Sequence, residues 1–130
     1  MSSVLIVDDQ PHMLELISEE LRDMGCEVES AEDVQAVRRC FENSSPDLVL
    51  LDLYLKGFDG WEVLHDIKTW RPRVPVLIVT AYDSFRNDPR TSEADGYVVK
   101  SFTHLEKLKQ AIADLLAPKY RAQSTSHASN

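Results

Sequence analysis

Five polar residues in this chain share one placement: each comes where a short apolar run stops. Asp8 and Asp9 follow Val4-Leu5-Ile6-Val7, and Asp52 follows Val49-Leu50-Leu51. Thr80 follows Val76-Leu77-Ile78-Val79, and Lys100 follows Gly96-Tyr97-Val98-Val99. A continuous apolar run of this length reads as a strand buried on both faces, the mark of a parallel sheet. In a parallel sheet the carboxyl ends share one edge, so three carboxylates, a hydroxyl and an ammonium are expected to meet in one crevice. Close carboxylates repel unless something neutralises them. A hard divalent cation with oxygen ligands does so, and Mg²⁺ suits a site of few carboxylates completed by water and a phosphate. Such an ion would accept a phosphate oxygen, Lys100 would add a second positive charge, and Thr80 would donate a hydrogen bond to another oxygen. Asp52, between metal and lysine, then has the chemistry of a nucleophile for phosphorus, forming an aspartyl phosphate. Positioning and charge neutralisation would carry most of that catalysis.

The intervening segments must hold these ends in place. Pro11 opens a helix whose inner face is read as Leu14, Ile17, Leu21 and Met24, and Gly25 stops it. Cys26 to Ala31 is a weaker strand, with Val28 between Glu27 and Glu29, a pattern that suits a sheet edge. From Asp33 a second helix turns Val34, Val37, Cys40 and Phe41 inward, and Asn43-Ser44-Ser45-Pro46 ends it. The third strand is Asp47 to Leu51, Lys56 to Gly60 is a turn, and a third helix runs from Trp61 to Trp70 with Val63, Leu64 and Ile67 inside. Between the fourth and fifth strands, Tyr82 to Asp95 should supply a crossover helix. Asn87-Asp88-Pro89-Arg90-Thr91-Ser92 is poor in helix formers, so that helix is expected to be short, irregular or mobile. Thr103 is expected to cap a last helix with Leu105, Leu108, Ile112 and Leu115 or Leu116 inside, ended by Pro118.

Five strands alternating with five helices call for an α/β, doubly wound, five-stranded parallel sheet with helices on both faces. Residues 1–117 are read as one domain and 118–130, polar and rich in Ser and Ala, as a disordered tail or linker. The net charge of −8 argues against nonspecific binding to nucleic acid or an anionic membrane. No apolar run approaches the roughly 20 residues that span a bilayer, and with Met1-Ser2-Ser3 leading straight into a strand no signal peptide is expected. Cys26 and Cys40 are read as reduced, buried residues of a cytoplasmic protein. His12, His65, His104 and His127 share no metal-ligand spacing.

This ordered set of residues, over about residues 3 to 117, resembles a response-regulator receiver domain of two-component signalling. The resemblance implies the flavodoxin-like strand order 2-1-3-4-5. It implies that Asp52 is the phosphoacceptor, that Asp9 is a direct Mg²⁺ ligand with Asp8 as its partner, and that the backbone carbonyl of Tyr54 is a third protein ligand. Thr80 takes the place of the switch hydroxyl, followed by the small Ala81. Lys100 takes the place of the phosphate-contacting lysine, and Tyr97 that of the aromatic switch. Tyr54 and Tyr82, two positions after Asp52 and Thr80, are expected to shield the phosphoryl group from water. The chain departs from the family at three points. Ser101 stands where a proline in a cis peptide is usual, and a cis Lys100–Ser101 bond would cost ~3 kcal/mol. Lys56 stands where proline is common before Gly57, with little expected effect. The interval from Thr80 to Lys100 is short and holds Pro89, on the segment that belongs to the usual output face.

The implied function is a switch. A sensor histidine kinase or histidine phosphotransfer protein supplies the phosphoryl group, and an output partner or output domain reads the change. Outside that reading, a flavin module would need a neutral, hydroxyl-rich first loop, whereas Asp8-Asp9-Gln10-Pro11 is acidic. An Asp-based phosphatase generally has a second Asp where Tyr54 stands. The remaining alternative is a receiver-like interaction module that signals without phosphorylation, which Ser101 keeps open.

Overall fold

The computed structural model describes residues 1–101, 103 and 105–118. Strands β1 (Ser3–Val7), β2 (Glu27–Ala31) and β3 (Leu48–Leu51) alternate with helices α1 (Pro11–Asp23) and α2 (Val34–Asn43). A two-residue hairpin follows, β4 (Tyr54–Leu55) with β5 (Phe58–Asp59), which leads into α3 (Gly60–Trp70). Strand β6 (Val76–Thr80), a 3-10 helix (Pro89–Glu93), strand β7 (Gly96–Val99) and helix α4 (Glu106–Leu116) complete the described chain. The main sheet is five-stranded and parallel, in the order β2-β1-β3-β6-β7. Counting only its own strands, this is the expected order 2-1-3-4-5.

Alternation along the strands splits the core between the two faces. Leu5, Val7, Val49, Leu51, Val76 and Ile78 pack with Val37 and Phe41 of α2 and Val63, Leu64 and Ile67 of α3. Val4, Ile6, Leu48, Leu50, Leu77 and Val79 pack with Met13, Ile17 and Leu21 of α1 and Leu108, Ile112 and Leu115 of α4. Each such side chain, fully buried, contributes roughly 1.5–3 kcal/mol before entropy is counted. This double covering explains why the central strands read as solid apolar runs. Strand β2 keeps Glu27 and Glu29 exposed at the sheet's edge, as its alternation indicates.

Three expected details differ. Leu14 and Met24 are only half-buried, while Met13 and Ser18 are buried on the inner face of α1. Among the described residues there are four α-helices, because the fourth crossover is a single 3-10 turn. Asp88 starts that turn by accepting the Arg90 backbone N–H at 2.9 Å, and Pro89 takes its first position. It is strapped to α3 by the Arg90 guanidinium over the Trp61 ring (4.2 Å), by His65 and Glu93 (3.1 Å), and by the largely buried Lys68–Asp95 pair (2.7 Å). Last, α4 begins at Glu106 with Leu105 at its N-cap and no side-chain cap, so Thr103 does not cap it. Thr103 instead donates its backbone N–H to Ser101 Oγ at 3.2 Å. The expected tail, residues 119–130, lies outside the described residues. No described helix is long and apolar enough to cross a membrane.

Candidate functional site

The carboxyl ends of β1, β3, β6 and β7 lie side by side, and backbone bonds just past the strands fix the residues that follow. Asp8 donates its N–H to the Ala31 carbonyl (3.2 Å), Asp52 to that of Val7 (2.9 Å) and Lys100 to that of Thr80 (2.6 Å). The sheet itself therefore aims these residues at one crevice. Ligand oxygens of Asp8, Asp9 and Asp52 lie within 4.8 Å of one another. Asp52 is 4% exposed, Asp8 is buried and Asp9 is half-buried.

Lys100 reaches into this acidic group. Its ammonium is 2.8 Å from Asp52 Oδ2 and 2.8 Å from Asp8 Oδ2, and its side chain is only 5% exposed. Burial raises the Asp52 carboxyl above its ordinary range, opposed by its hydrogen bond and charge interaction with Lys100 and by the Tyr54 N–H. That N–H donates to Asp52 Oδ1 at 3.1 Å. Three carboxylates and one ammonium leave a formal charge of −2. A single divalent cation would balance it, and an all-oxygen donor set suits a hard ion such as Mg²⁺. The residues present therefore fit the metal that the sequence implies.

Thr80 is fully buried, and among the described residues its hydroxyl has no hydrogen-bond partner. A buried hydroxyl without a partner costs about 1–3 kcal/mol. Such a cost at the rim of a charged crevice marks a group that waits for an acceptor. Tyr97, in β7, donates its hydroxyl to the Tyr82 carbonyl, two residues past Thr80, and the Arg86 guanidinium stands 4.9 Å from its ring. Tyr54 and Tyr82 are about half exposed, with ring centroids 4.8 Å apart, and Phe85 packs against both.

The residues read from the sequence as Asp8, Asp9, Asp52, Thr80 and Lys100 thus converge. No peptide bond among the described residues is cis, so Lys100–Ser101 is trans and the lysine still reaches both acids. Two contributors escaped the sequence reading. Lys56 donates its backbone N–H to Asp9 Oδ2 at 2.7 Å, a bond that proline in its place could not form. Gln10 Oε1 accepts from the Lys100 ammonium at 2.7 Å. Neither has a signal in residue type, because one acts through its backbone and the other through a partner at the far end of the chain.

A family model described as the response regulator receiver domain matches residues 4–113. TcrX, a probable transcriptional regulatory protein of Mycobacterium tuberculosis, is 36% identical over 103 residues, which cover 78% of this chain and 44% of that protein. TrcR, a transcriptional regulatory protein of the same species, is 37% identical over 115 residues, which cover 87% of this chain and 44% of that protein. The chain thus spans less than half the length of these two relatives. Among solved structures, the response regulator protein TrrA of Thermotoga maritima, in complex with Mg²⁺ and BeF, superposes with a TM-score of 0.83 at 37% identity. That match covers 89% of this chain and 100% of the other. TrrA in complex with the histidine kinase ThkA gives a TM-score of 0.82 at 37% identity, covering 90% and 100% of the two chains. A pattern running through nearly all of the described residues and a shared strand order lead to one assignment: the chain belongs to the response regulator receiver domain family of two-component signalling.

Proposed function

We propose that Asp52 accepts a phosphoryl group from a phosphohistidine on a sensor histidine kinase or histidine phosphotransfer protein, with Mg²⁺ bound beside it. The observation that carries this reading is the setting of Asp52: a buried carboxylate bonded to an ammonium, clustered with two further acids and bordered by an unpartnered hydroxyl. In the transfer, an Asp52 oxygen forms a bond to phosphorus as the phosphorus–nitrogen bond breaks. The electron pair leaves with the donor imidazole, which takes up a proton. Asp8, Asp9, Asp52 and the backbone carbonyl of Tyr54 would hold the Mg²⁺, which when bound neutralises charge on the phosphoryl oxygens. Lys100 stabilises negative charge from the other side, and the Thr80 hydroxyl donates to a phosphoryl oxygen. Lys100 is already on Asp52, and among the described residues the Thr80 hydroxyl has no hydrogen bond to give up first.

The consequence is a switch. A shift of Thr80 toward the phosphoryl group pulls on the segment that carries the Tyr82 carbonyl, and Tyr97 is bonded there. The change would reach the surface formed by the 3-10 turn, β7 and α4, where an output partner or output domain reads it. In this proposal residues 1–117 form the receiver unit and 118–130 a tail or linker. It works in the cytoplasm, and its only catalysis is its own phosphorylation and dephosphorylation.

The test uses a small acyl phosphate as donor, with and without Mg²⁺, followed by intact mass. A Mg²⁺-dependent gain of one phosphoryl group is expected, and it should vanish in Asp52→Asn. Failure to gain mass under any of these conditions would favour the module that signals without phosphorylation.

A further inference from the structure

The ammonium of Lys100 is nearly buried, and an ammonium carries three N–H donors and no acceptor. Three oxygens lie within hydrogen-bond reach of it: Asp52 Oδ2 at 2.8 Å, Asp8 Oδ2 at 2.8 Å and Gln10 Oε1 at 2.7 Å. The count of donors and acceptors therefore closes only with Gln10. Of the three oxygens, this is the neutral one, and it belongs to no carboxylate of the candidate metal site. It is also well anchored. Gln10 donates its backbone N–H to Asp8 Oδ1 at 2.9 Å, and its carbonyl accepts the Leu14 N–H at 3.0 Å as the N-cap of α1. Its side chain caps nothing in the helix.

The backbone fixes only the root of this side chain: Lys100 donates its N–H to the Thr80 carbonyl at 2.6 Å, and the ammonium sits at the end of a flexible four-carbon stem. Lys100 is followed by Ser101 in a trans peptide, and the next turn is tied by Ser101 Oγ accepting the Thr103 N–H at 3.2 Å. From these contacts we infer that Gln10 is a positioning residue for Lys100. Its side-chain oxygen supplies the third acceptor of the ammonium and fixes it against Asp52, whether or not Asp8 is engaged elsewhere. The functional consequence rests on the reading of Asp52 as phosphoryl acceptor; the contact itself does not.

Two readouts on the whole chain test this. The first is the labelling rate of each lysine by a small amine-acylating reagent, resolved by peptide mass. The second is the rate of phosphoryl gain from a small acyl phosphate with Mg²⁺. Gln10→Asn draws the acceptor back by one methylene and puts a favoured N-cap residue in its place, so α1 is preserved. It is expected to raise labelling of Lys100 and to slow phosphoryl gain, each by roughly tenfold or more, the size of one lost hydrogen bond to a charged group. Gln10→Leu should do the same, and Gln10→Glu, which keeps an oxygen at full reach, should restore the protection of Lys100. Lys68, paired with Asp95 at 2.7 Å, serves as the control for folding, and its labelling should not change in Gln10→Asn. Unchanged labelling of Lys100 in Gln10→Asn overturns the inference. So does slower phosphoryl gain without a change in that labelling, since Gln10 would then act by another route. If the unaltered protein gains no phosphoryl group, the reading of Asp52 fails, while the labelling result still decides the contact.

Discussion

The unpartnered hydroxyl of Thr80 sets stability against function, and Thr80→Val separates the two. Thr80 is fully buried at the end of β6, so valine keeps the branched shape and the strand preference while replacing the hydroxyl by a methyl group. The hydroxyl has no partner among the described residues, so its removal relieves a desolvation cost of about 1–3 kcal/mol. Allowing for imperfect packing of the new methyl, a net gain of about 1–2 kcal/mol is expected. With a urea m-value of about 2 kcal/mol/M, the unfolding midpoint should rise by roughly 0.5–1 M. The measurement is equilibrium urea unfolding without divalent cation, followed by tryptophan fluorescence. Thr80→Ala is the comparison, because it removes hydroxyl and methyl together and leaves a small void, so it should gain less or lose stability. The same Thr80→Val protein should gain a phosphoryl group more slowly. A hydrogen bond to a charged oxygen is worth about 1.5–3 kcal/mol, which corresponds to a slowing of roughly ten- to a hundredfold. A Thr80→Val protein that is less stable than the original would refute the reasoning, because the hydroxyl would then have been satisfied in the folded state.

Three further outcomes follow from other parts of the molecule. A Cβ added at Gly60 would lie 2.5 Å from Leu53 Cα and 2.6 Å from its carbonyl oxygen, and backbone cannot turn aside. Gly60→Ala should therefore cost about 2–3 kcal/mol in urea unfolding, and a loss below about 0.5 kcal/mol would contradict the packing described. Replacing Tyr54 and Tyr82 together by alanine removes two half-exposed rings, 4.8 Å apart and two positions past Asp52 and Thr80, and decay of the phosphorylated form should quicken by roughly fivefold, about 1 kcal/mol of barrier. An unchanged decay rate would end the idea that they shield the phosphoryl group. Burial, the largest influence, raises the Cys40 thiol to about 11, with Ser44 acting in the opposite sense. The thiol is therefore protonated below that pH, and at pH 8 about one molecule in a thousand carries a thiolate. Alkylation of Cys40 at pH 8 should run roughly two hundredfold slower than for a free cysteine, and rapid labelling of the folded protein would contradict this.

The sheet was legible because its central strands are buried twice. Leu48 to Leu51 and Val76 to Val79 face helices on both sides, so each position is apolar and the run stops where the strand leaves the core. The same stop marks the polar ends, and parallel topology alone brings Asp8, Asp52, Thr80 and Lys100 to one edge. Helix faces were less legible. Met13 and Leu14 are neighbours on α1, and which of them faces the sheet depends on how the helix is rotated against β1 and β3, a tertiary choice. The short crossover was legible as an absence of helix formers around Pro89, but its fastening by Trp61, His65 and Lys68 was not, since those residues belong to another helix. The two missed site contacts have separate reasons. Any residue but proline could offer the N–H of Lys56, so its side chain carries no sign of the role. Gln10 and Lys100 are 90 positions apart, and a glutamine before Pro11 looks like ordinary helix entry. The trans Lys100–Ser101 peptide matters less than its departure from the family pattern implied, because three oxygens around the ammonium fix what the backbone does not.

The most direct measurement is where the phosphoryl group sits. After reaction with a small acyl phosphate and Mg²⁺, the acyl phosphate formed on the protein is reduced with borohydride and the chain is mapped by peptide mass. Reduction at Asp52 alone, absent without Mg²⁺, is the expected result. Modification at Asp8, at Asp9 or elsewhere with Asp52 untouched would contradict the assignment of Asp52 as the acceptor.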